Sequence, residues 1–445
     1  MQIVQIVLFA ILSGISFYFF YKRGSFIYRN INLGRKDESY TDNPSERLKT
    51  MLLVAFGQKK MFQNWIPAVL HLFLYLAFVV TQIELIEIFI DGFSGQHRFL
   101  FHLVEDTFLE VLYYIVISSI EILSVLAFVA TFAFLARRNL LKIPRFVKSE
   151  LNGWPRLDAN IILFAEIYLL LCIFSMNGAD VALQLQKGLN DYGFAISSNI
   201  IGPALQGLPS GALVVIERLG WWGHIIGVLA LLVYITYSKH LHIMLAFPNT
   251  YFSRLEPKGE IKNMPEITKE VKSMLDPNLA FAAAPEGEAA PRRFGAKDVN
   301  DLSWKNLLDA YSCTECGRCT DACPANGTGK LLSPRKIMMD TRDRLEEVGK
   351  NIDTHGPDFV DNKALLGDYI SVEELRACTT CNACVQECPI NISPLDIIVQ
   401  LRRYLIMEES NSPEEWNMMF GNIENNGAPW KFSPDDRFKW AEEVK

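Results

Sequence analysis

Histidine is scarce in this chain, with seven residues in 445, and cysteine is scarcer still outside two short stretches, where Cys172 stands alone. That usage leaves no spread-out disulfide framework of the kind small secreted chains carry. The net charge of −7 is modest and acidic, so nothing points to nucleic acid as a partner. No internal repeat occurs beyond the two cysteine stretches. No signal-peptidase-like site follows the first apolar run, which is therefore read as retained. No residue pattern offers a nucleophile or general base aimed at an organic substrate. Charge is also thin across much of the first 250 positions, although 21% of all residues are charged and 50% are hydrophobic.

What is present is concentrated. Eight of the nine cysteines lie in two runs, CTECGRCTDACP from Cys313 to Pro324 and CTTCNACVQECP from Cys378 to Pro389. Each is C-x2-C-x2-C-x3-C-P, the bacterial ferredoxin run that holds a cubane iron–sulfur cluster. The tight Cys-x2-Cys spacing aims several thiolates at one cube, and the Pro after the fourth Cys redirects the chain. In twinned runs the fourth Cys ligates the other cluster. The expectation is two [4Fe-4S] clusters: Cys313, Cys316, Cys319 and Cys388 on one, and Cys378, Cys381, Cys384 and Cys323 on the other. Zinc usually needs only two C-x2-C pairs. Clusters of this kind require a reducing compartment.

Five stretches are apolar enough to cross a bilayer: residues 3–21, 65–90, 111–135, 161–176 and 213–237. The loop after the first carries Lys22, Arg23, Arg29, Arg35, Lys36, Arg47, Lys49, Lys59 and Lys60. The loop after the third carries Arg137, Arg138, Lys142, Arg145, Lys148 and Arg156. The other two loops carry only Arg98 and Lys187. By the positive-inside rule the N-terminus is outside and the cysteine runs are cytoplasmic, in the inner (cytoplasmic) membrane. The expected organisation is a membrane domain over 1–250, a linker over 251–300, a two-cluster domain over 301–407 and a tail over 408–445. Ser45–Gln63 reads as an amphipathic helix on the inner surface. Segment 179–212 reads as an outer cap or re-entrant piece. The Ala- and Pro-rich residues 276–300 form the core of the linker. The tail is dense in aromatics (Trp416, Phe420, Trp430, Phe432, Trp440), which suggests a docking surface.

Ionisable residues inside a membrane are functional by default. His71 lies about two turns into the second span. His224 and His242 are 18 positions apart, about five turns at 3.6 residues each, so on one continuous helix they share a face about 27 Å apart. A bis-His haem b needs imidazoles from two helices at equal depth. His71 and His242, both toward the inner side, are expected to hold one. A second haem on His224 would need His102 or His97. His240 points about 160° from this face and reads as a surface residue. Glu84, Glu87, Glu121 and Glu166 are candidates to line a proton path or quinone pocket.

DLSWKNLLDAYSCTECGRCTDACPANGTGKLLSPRKIM and ACTTCNACVQECPINISPLDIIVQLRRY resemble the membrane-bound iron–sulfur oxidoreductases related to heterodisulfide reductase, including the group linked to electron-transfer flavoprotein. FGQKKMF, WIPAVLH and GHIIGVLALLVYITYSKHLHIMLAFPN resemble the haem b gamma subunit of respiratory nitrate reductase. The resemblance implies a mainly α fold: a five-helix transmembrane haem b bundle joined to a helical ferredoxin-like domain with two [4Fe-4S] clusters. It also implies electron exchange with a quinone pool, menaquinone in the first instance, and it carries the haem histidines over to His71, His224 and His242. In the nitrate reductase protein the second span bears another His about ten residues after the first, where this chain has Thr81. Many relatives continue into CCG repeats, which are not found before Lys445. With NGAPWKFSPDDRFKWAEE also resembling the family, the tail is expected to dock a CCG-type iron–sulfur subunit. Two other outcomes stay open: a quinol-oxidising subunit feeding a heterodisulfide-type reductase, and a haem-free membrane anchor for the clusters.

Overall fold

The computed structural model describes residues 2–444 apart from 190–191, 258 and 277–292. Among the described residues there is no strand, only isolated bridges such as Arg35 to Ser303. Five helices are long and apolar enough to cross a membrane: α1 (Gln2–Ile31), α2 (Trp65–Ser94), α3 (Glu110–Asn139), α4 (Trp154–Lys187) and α5 (Ser210–Ile235). In hydrocarbon each backbone polar group must be satisfied within its own segment, which helices achieve. The apolar faces that remain exposed on all five are those a bilayer would cover.

The tightest pair is α4 with α5. A Cβ on Gly220 would lie 2.8 Å from the Cys172 carbonyl, and one on Gly227 2.7 Å from Leu169. Glycine at these positions lets the two backbones approach, the means by which helices pack where lipid removes the hydrophobic drive between them.

Beyond the membrane half lies an all-helical unit: α6 (His242–Tyr251), α7 (Trp304–Ser312), α8 (Arg318–Asp321), α9 (Pro334–His355), α10 (Ala383–Glu387) and α11 (Pro394–Met407). A single apolar core runs through it, including Leu307, Ile337, Leu345, Ile397 and Leu401, and also takes in Ile27 and Ile31 of α1. Helix α12 (Glu414–Asn426) follows.

Several expectations change here. The first span continues ten residues past position 21, so Lys22, Arg23 and Arg29 are on the helix rather than in a loop. That extension plugs into the cluster domain: Arg23 pairs with Glu346 at 2.6 Å, Arg29 pairs with Asp353, and Asn30 donates to Tyr311 Oη at 3.0 Å. The fourth span is 34 residues long, well beyond 161–176. Ser45–Gln63 is not one helix. It is helical from Pro44 to Phe56, with a wide last turn from Leu52, and then breaks before a short 3-10 turn at Met61–Gln63. Arg47, buried there, donates to the carbonyls of Asp42 (2.5 Å), Ser39 (2.8 Å) and Ser253 (2.8 Å), which ties one face of the segment to protein, while Leu48, Leu52, Leu53 and Phe56 stay exposed on it.

Residues 277–292, most of the Ala- and Pro-rich core of the expected linker, lie outside the described residues. Residues 293–300 belong to the cluster domain, with Ala296 and Val299 fully buried. In 179–212, the first part completes α4, and Ser197–Ile201 forms a wide helical turn.

Candidate electron-transfer site

The two cysteine runs fold alike. In each, the residues two and four places after the first Cys take positive φ: Glu315 (55°) and Gly317 (74°) in one, Thr380 (55°) and Asn382 (60°) in the other. A β-branched residue such as Thr380 rarely adopts that conformation. Both loops thereby wrap their thiols inward. The Thr380 N–H donates to Cys378 Sγ at 3.4 Å, and the Ile392 N–H to Cys388 Sγ at 3.3 Å.

The thiols fall into two foursomes that exchange their fourth member. Cys313, Cys316 and Cys319 of the first run interact electrostatically with Cys388. Cys378 and Cys384 of the second interact with Cys323, and both also interact with Cys381. Cys384 also reaches Cys319, so the foursomes adjoin. Burial pushes the Cys313 and Cys384 thiols up to about 12, so their thiolates need a cation to form. Among the described residues no three His, Cys, Asp or Glu gather round one ion. A zinc ion would draw its thiolates to about 2.3 Å from a single point. The donor set, two adjoining groups of four cysteines, fits two cubane clusters.

The foursome around Cys388 faces the membrane half. Lys60, just before α2, donates to the Val385 carbonyl (2.9 Å) and Asn391 Oδ1 (3.0 Å), and its charge reaches Cys388. Gly317 is overlain by the Arg335 guanidinium, which occupies the space a Cβ would take. Arg335 crosses to the α3–α4 loop, donating to the Arg145 carbonyl and to Glu150, each at 2.7 Å. The other foursome is more open: Cys381 is the exposed member.

The histidines are arranged differently from the expectation. Helix α5 ends at Ile235, the chain turns, and His242 opens a new helix. His224 and His242 therefore do not share a continuous helical face, and His242 lies beyond the span. His240, expected at the surface, is half-buried. Its ring stands 5.4 Å from that of His242 at 89°, and both interact with His71. Burial holds His240 down to about 3 and depresses His242 as well, so both are neutral imidazoles.

His71 Nδ1 donates to Gln58 Oε1 at 3.2 Å, and His242 Nδ1 donates to the Lys239 carbonyl at 3.1 Å. Each pairing orients the ring and leaves Nε2 as the ligating nitrogen, the usual outer-shell arrangement for a metal-bound His. The residues present fit a haem iron on this criterion. His224 is anchored the same way, Nδ1 to the Leu169 carbonyl at 3.2 Å. His102 is exposed and paired with Glu105 at 3.1 Å, so it is not brought to His224. His97, bonded to Asp180 at 2.9 Å, instead lines a small cavity of about 50 Å³ with Arg218, Trp221 and Trp222.

The carboxylates in the spans are mostly structural. Arg98 bonds Glu84 (3.1 Å), Glu87 (3.4 Å) and Asn177 (2.5 Å) in a buried cluster at the end of the bundle away from the cysteine runs. Glu121 accepts from the Ile196 and Ser197 N–H groups at 2.6 and 3.0 Å, which closes the Ser197–Ile201 turn onto α3. Glu166 has the Thr131 hydroxyl at 3.2 Å.

Residues 312–392 match the family model of the 4Fe-4S dicluster domain. Across most of its length the chain is 28% identical to the probable iron–sulfur-binding oxidoreductase FadF of Bacillus subtilis, covering 93% of this chain and 57% of that protein. It is 25% identical to the EtfAB:quinone oxidoreductase of Syntrophomonas wolfei, covering 90% and 55%. Over 107 residues it is 36% identical to a component of the CoB-CoM heterodisulfide reductase of Methanosarcina acetivorans, 24% of this chain and 53% of that one. The chain thus spans a little over half the length of the first two. No solved structure matches. The relatives are iron–sulfur oxidoreductases, and this chain shares their dicluster domain on a helical bundle able to cross a membrane.

Proposed function

We propose that the chain is the electron-transfer part of a membrane quinone oxidoreductase, working between a cytoplasmic donor and the quinone pool. The observation that carries this is the order of the groups. The exposed Cys381 foursome lies outermost, the Cys388 foursome lies against the membrane half, and His71 and His242 lie just beyond it. Arg318, between Cys316 and Cys319, is within electrostatic reach of His71.

In this proposal Cys313, Cys316, Cys319 and Cys388 hold the inner [4Fe-4S] cluster, and Cys378, Cys381, Cys384 and Cys323 the outer one. His71 and His242 hold haem b. Bound clusters and haem supply one-electron carriers, while quinone, menaquinone by preference, takes electrons in pairs with protons. The protein's own contribution is spacing, burial and charge. The positive loops share an end of the bundle with the cluster domain, which supports a cytoplasmic placement for that domain and an N-terminus outside.

The tail supports a partner surface. Trp416, Phe420, Trp430, Phe432 and Trp440 are exposed. Arg376, two residues before Cys378, stacks over Trp416 and bonds Asn411 at 2.9 Å, so the aromatic segment begins beside the outer foursome. The proposed occupant is a CCG-type iron–sulfur subunit or electron-transfer flavoprotein, in keeping with the EtfAB:quinone relative. Quinol oxidation feeding a heterodisulfide-type reductase is the second reading, supported by the likeness to the heterodisulfide reductase component.

The test is a dithionite-reduced spectrum with iron and sulfide analysis on protein purified from membranes. A b-type α band with about eight non-haem iron and eight labile sulfide per chain is expected from one haem and two cubes. Lack of the band sinks the haem, leaving a cluster anchor. About four of each sinks the second cluster, since each cube supplies four. Cluster potentials well below the quinone couple favour quinone reduction over the reverse.

A further inference from the structure

Arg318 sits between two cluster cysteines, 5% exposed, and its Nη1 has no hydrogen-bond partner. Among the described residues no carboxylate pairs with it, although nearby arginines have partners: Arg335 has Glu150, and Arg342 has Glu315 at 2.9 Å. A buried guanidinium without a counter-charge is expensive, so an anion belongs beside it. The charge of Arg318 reaches two residues of the membrane half, His71 and Arg137. A second buried guanidinium nitrogen at this junction, Arg138 Nη1, is also without a partner. Arg138 stacks over Phe146 at 5.0 Å.

Two unsatisfied arginine nitrogens beside the His71 imidazole form a receptor for an oxyanion. Arg is suited to this because its fork matches a carboxylate with two parallel bonds.

We infer that Arg318, with Arg138, binds the carboxylate side groups of the haem held by His71 and His242, so that one cluster loop clamps the haem directly. This rests on the haem assignment above. Arg318 acts as a positioning and charge-balancing residue. It couples the occupancy of the membrane site to the folding of the first cysteine loop. Its own cluster, also anionic, is the competing counter-charge, and the experiment separates the two.

Wild type, Arg318→Gln and Arg318→Lys are purified in mild detergent. Haem and cluster contents are measured, haem and clusters are titrated separately by optical and paramagnetic resonance spectroscopy, and infrared difference spectra are recorded at the haem potential. With the carboxylate contact, Arg318→Gln keeps its iron and sulfide. It lowers the haem midpoint by the equivalent of about a tenfold change in the reduced-to-oxidised ratio, ~59 mV for one electron. It also shifts a carboxylate band in the haem difference spectrum, and Arg318→Lys restores most of the potential. A haem midpoint and carboxylate bands that stay put while only a cluster potential moves would overturn the inference and assign Arg318 to its cluster. A wild-type protein with no α band would overturn the haem assignment itself, an outcome distinct from an α band that Arg318 does not influence.

Discussion

Lys239 joins the membrane half to the first cysteine loop at both its ends. Its ammonium is ion-paired with Glu315, which lies between Cys313 and Cys316, and its backbone carbonyl accepts the His242 Nδ1–H at 3.1 Å. A displacement of the loop is thus felt at the imidazole through one residue. Burial depresses the Lys239 ammonium and Glu315 counters this, so neither partner is comfortable alone.

Removing one side of that pair should be costly. Lys239→Met leaves Glu315 buried with Arg342 as its remaining cation, and breaking a buried pair typically destabilises by ~3–5 kcal/mol. The lower end is expected because Arg342 remains. Thermal unfolding in detergent checks this, and Lys239→Met combined with Glu315→Gln should recover part of the loss. A single variant as stable as wild type would show that the pair does not lock the two halves.

The exchange of fourth cysteines can be read spectroscopically. Cys388→Ser should disturb the cluster of the first run, although Cys388 lies in the second, and Cys323→Ser should disturb the cluster of the second run. Paramagnetic resonance of each reduced variant, compared with Cys313→Ser and Cys378→Ser, makes the test. If Cys388→Ser resembles Cys378→Ser, each run holds its own cube.

The histidines should separate cleanly. His71→Ala and His242→Ala are expected to abolish the b-type α band, while His102→Ala leaves it intact, since His102 is exposed and paired with Glu105. His240→Ala should retain the band with an altered shape, because its ring abuts that of His242. Loss of the band in His240→Ala alone would reassign the inner ligand.

Close helix approach predicts a contrast between two glycines of α5. Gly220→Ala puts a methyl group 2.8 Å from the Cys172 carbonyl, and overpacking of this kind typically destabilises by ~1–3 kcal/mol. Gly211→Ala meets nothing within 4 Å and should be neutral or slightly stabilising. Melting temperatures of the pair decide it. Equal values would mean that α4 and α5 can separate without loss.

The cysteine spacing and the apolar runs were enough to expect both the dicluster domain and five long helices, because thiolate chemistry and bilayer thickness impose patterns on adjacent residues. Helix ends were less legible. The break between Ile235 and His242 carries no Pro or Gly in SKHLH, and it is held by tertiary bonds, Tyr234 Oη to Asp158 (2.6 Å) and the Lys239 N–H to Asp158 (3.2 Å). That break moved His242 off the α5 face and turned His240 inward. The roles of Lys60, Lys239 and Arg318 were equally hidden, since a basic residue near a span looks the same whether it faces lipid headgroups or a cluster loop. What the amino-acid order settled was which groups could carry electrons. Only the packing of one half on the other decided which foursome faces the membrane, because that depends on contacts between residues hundreds of positions apart.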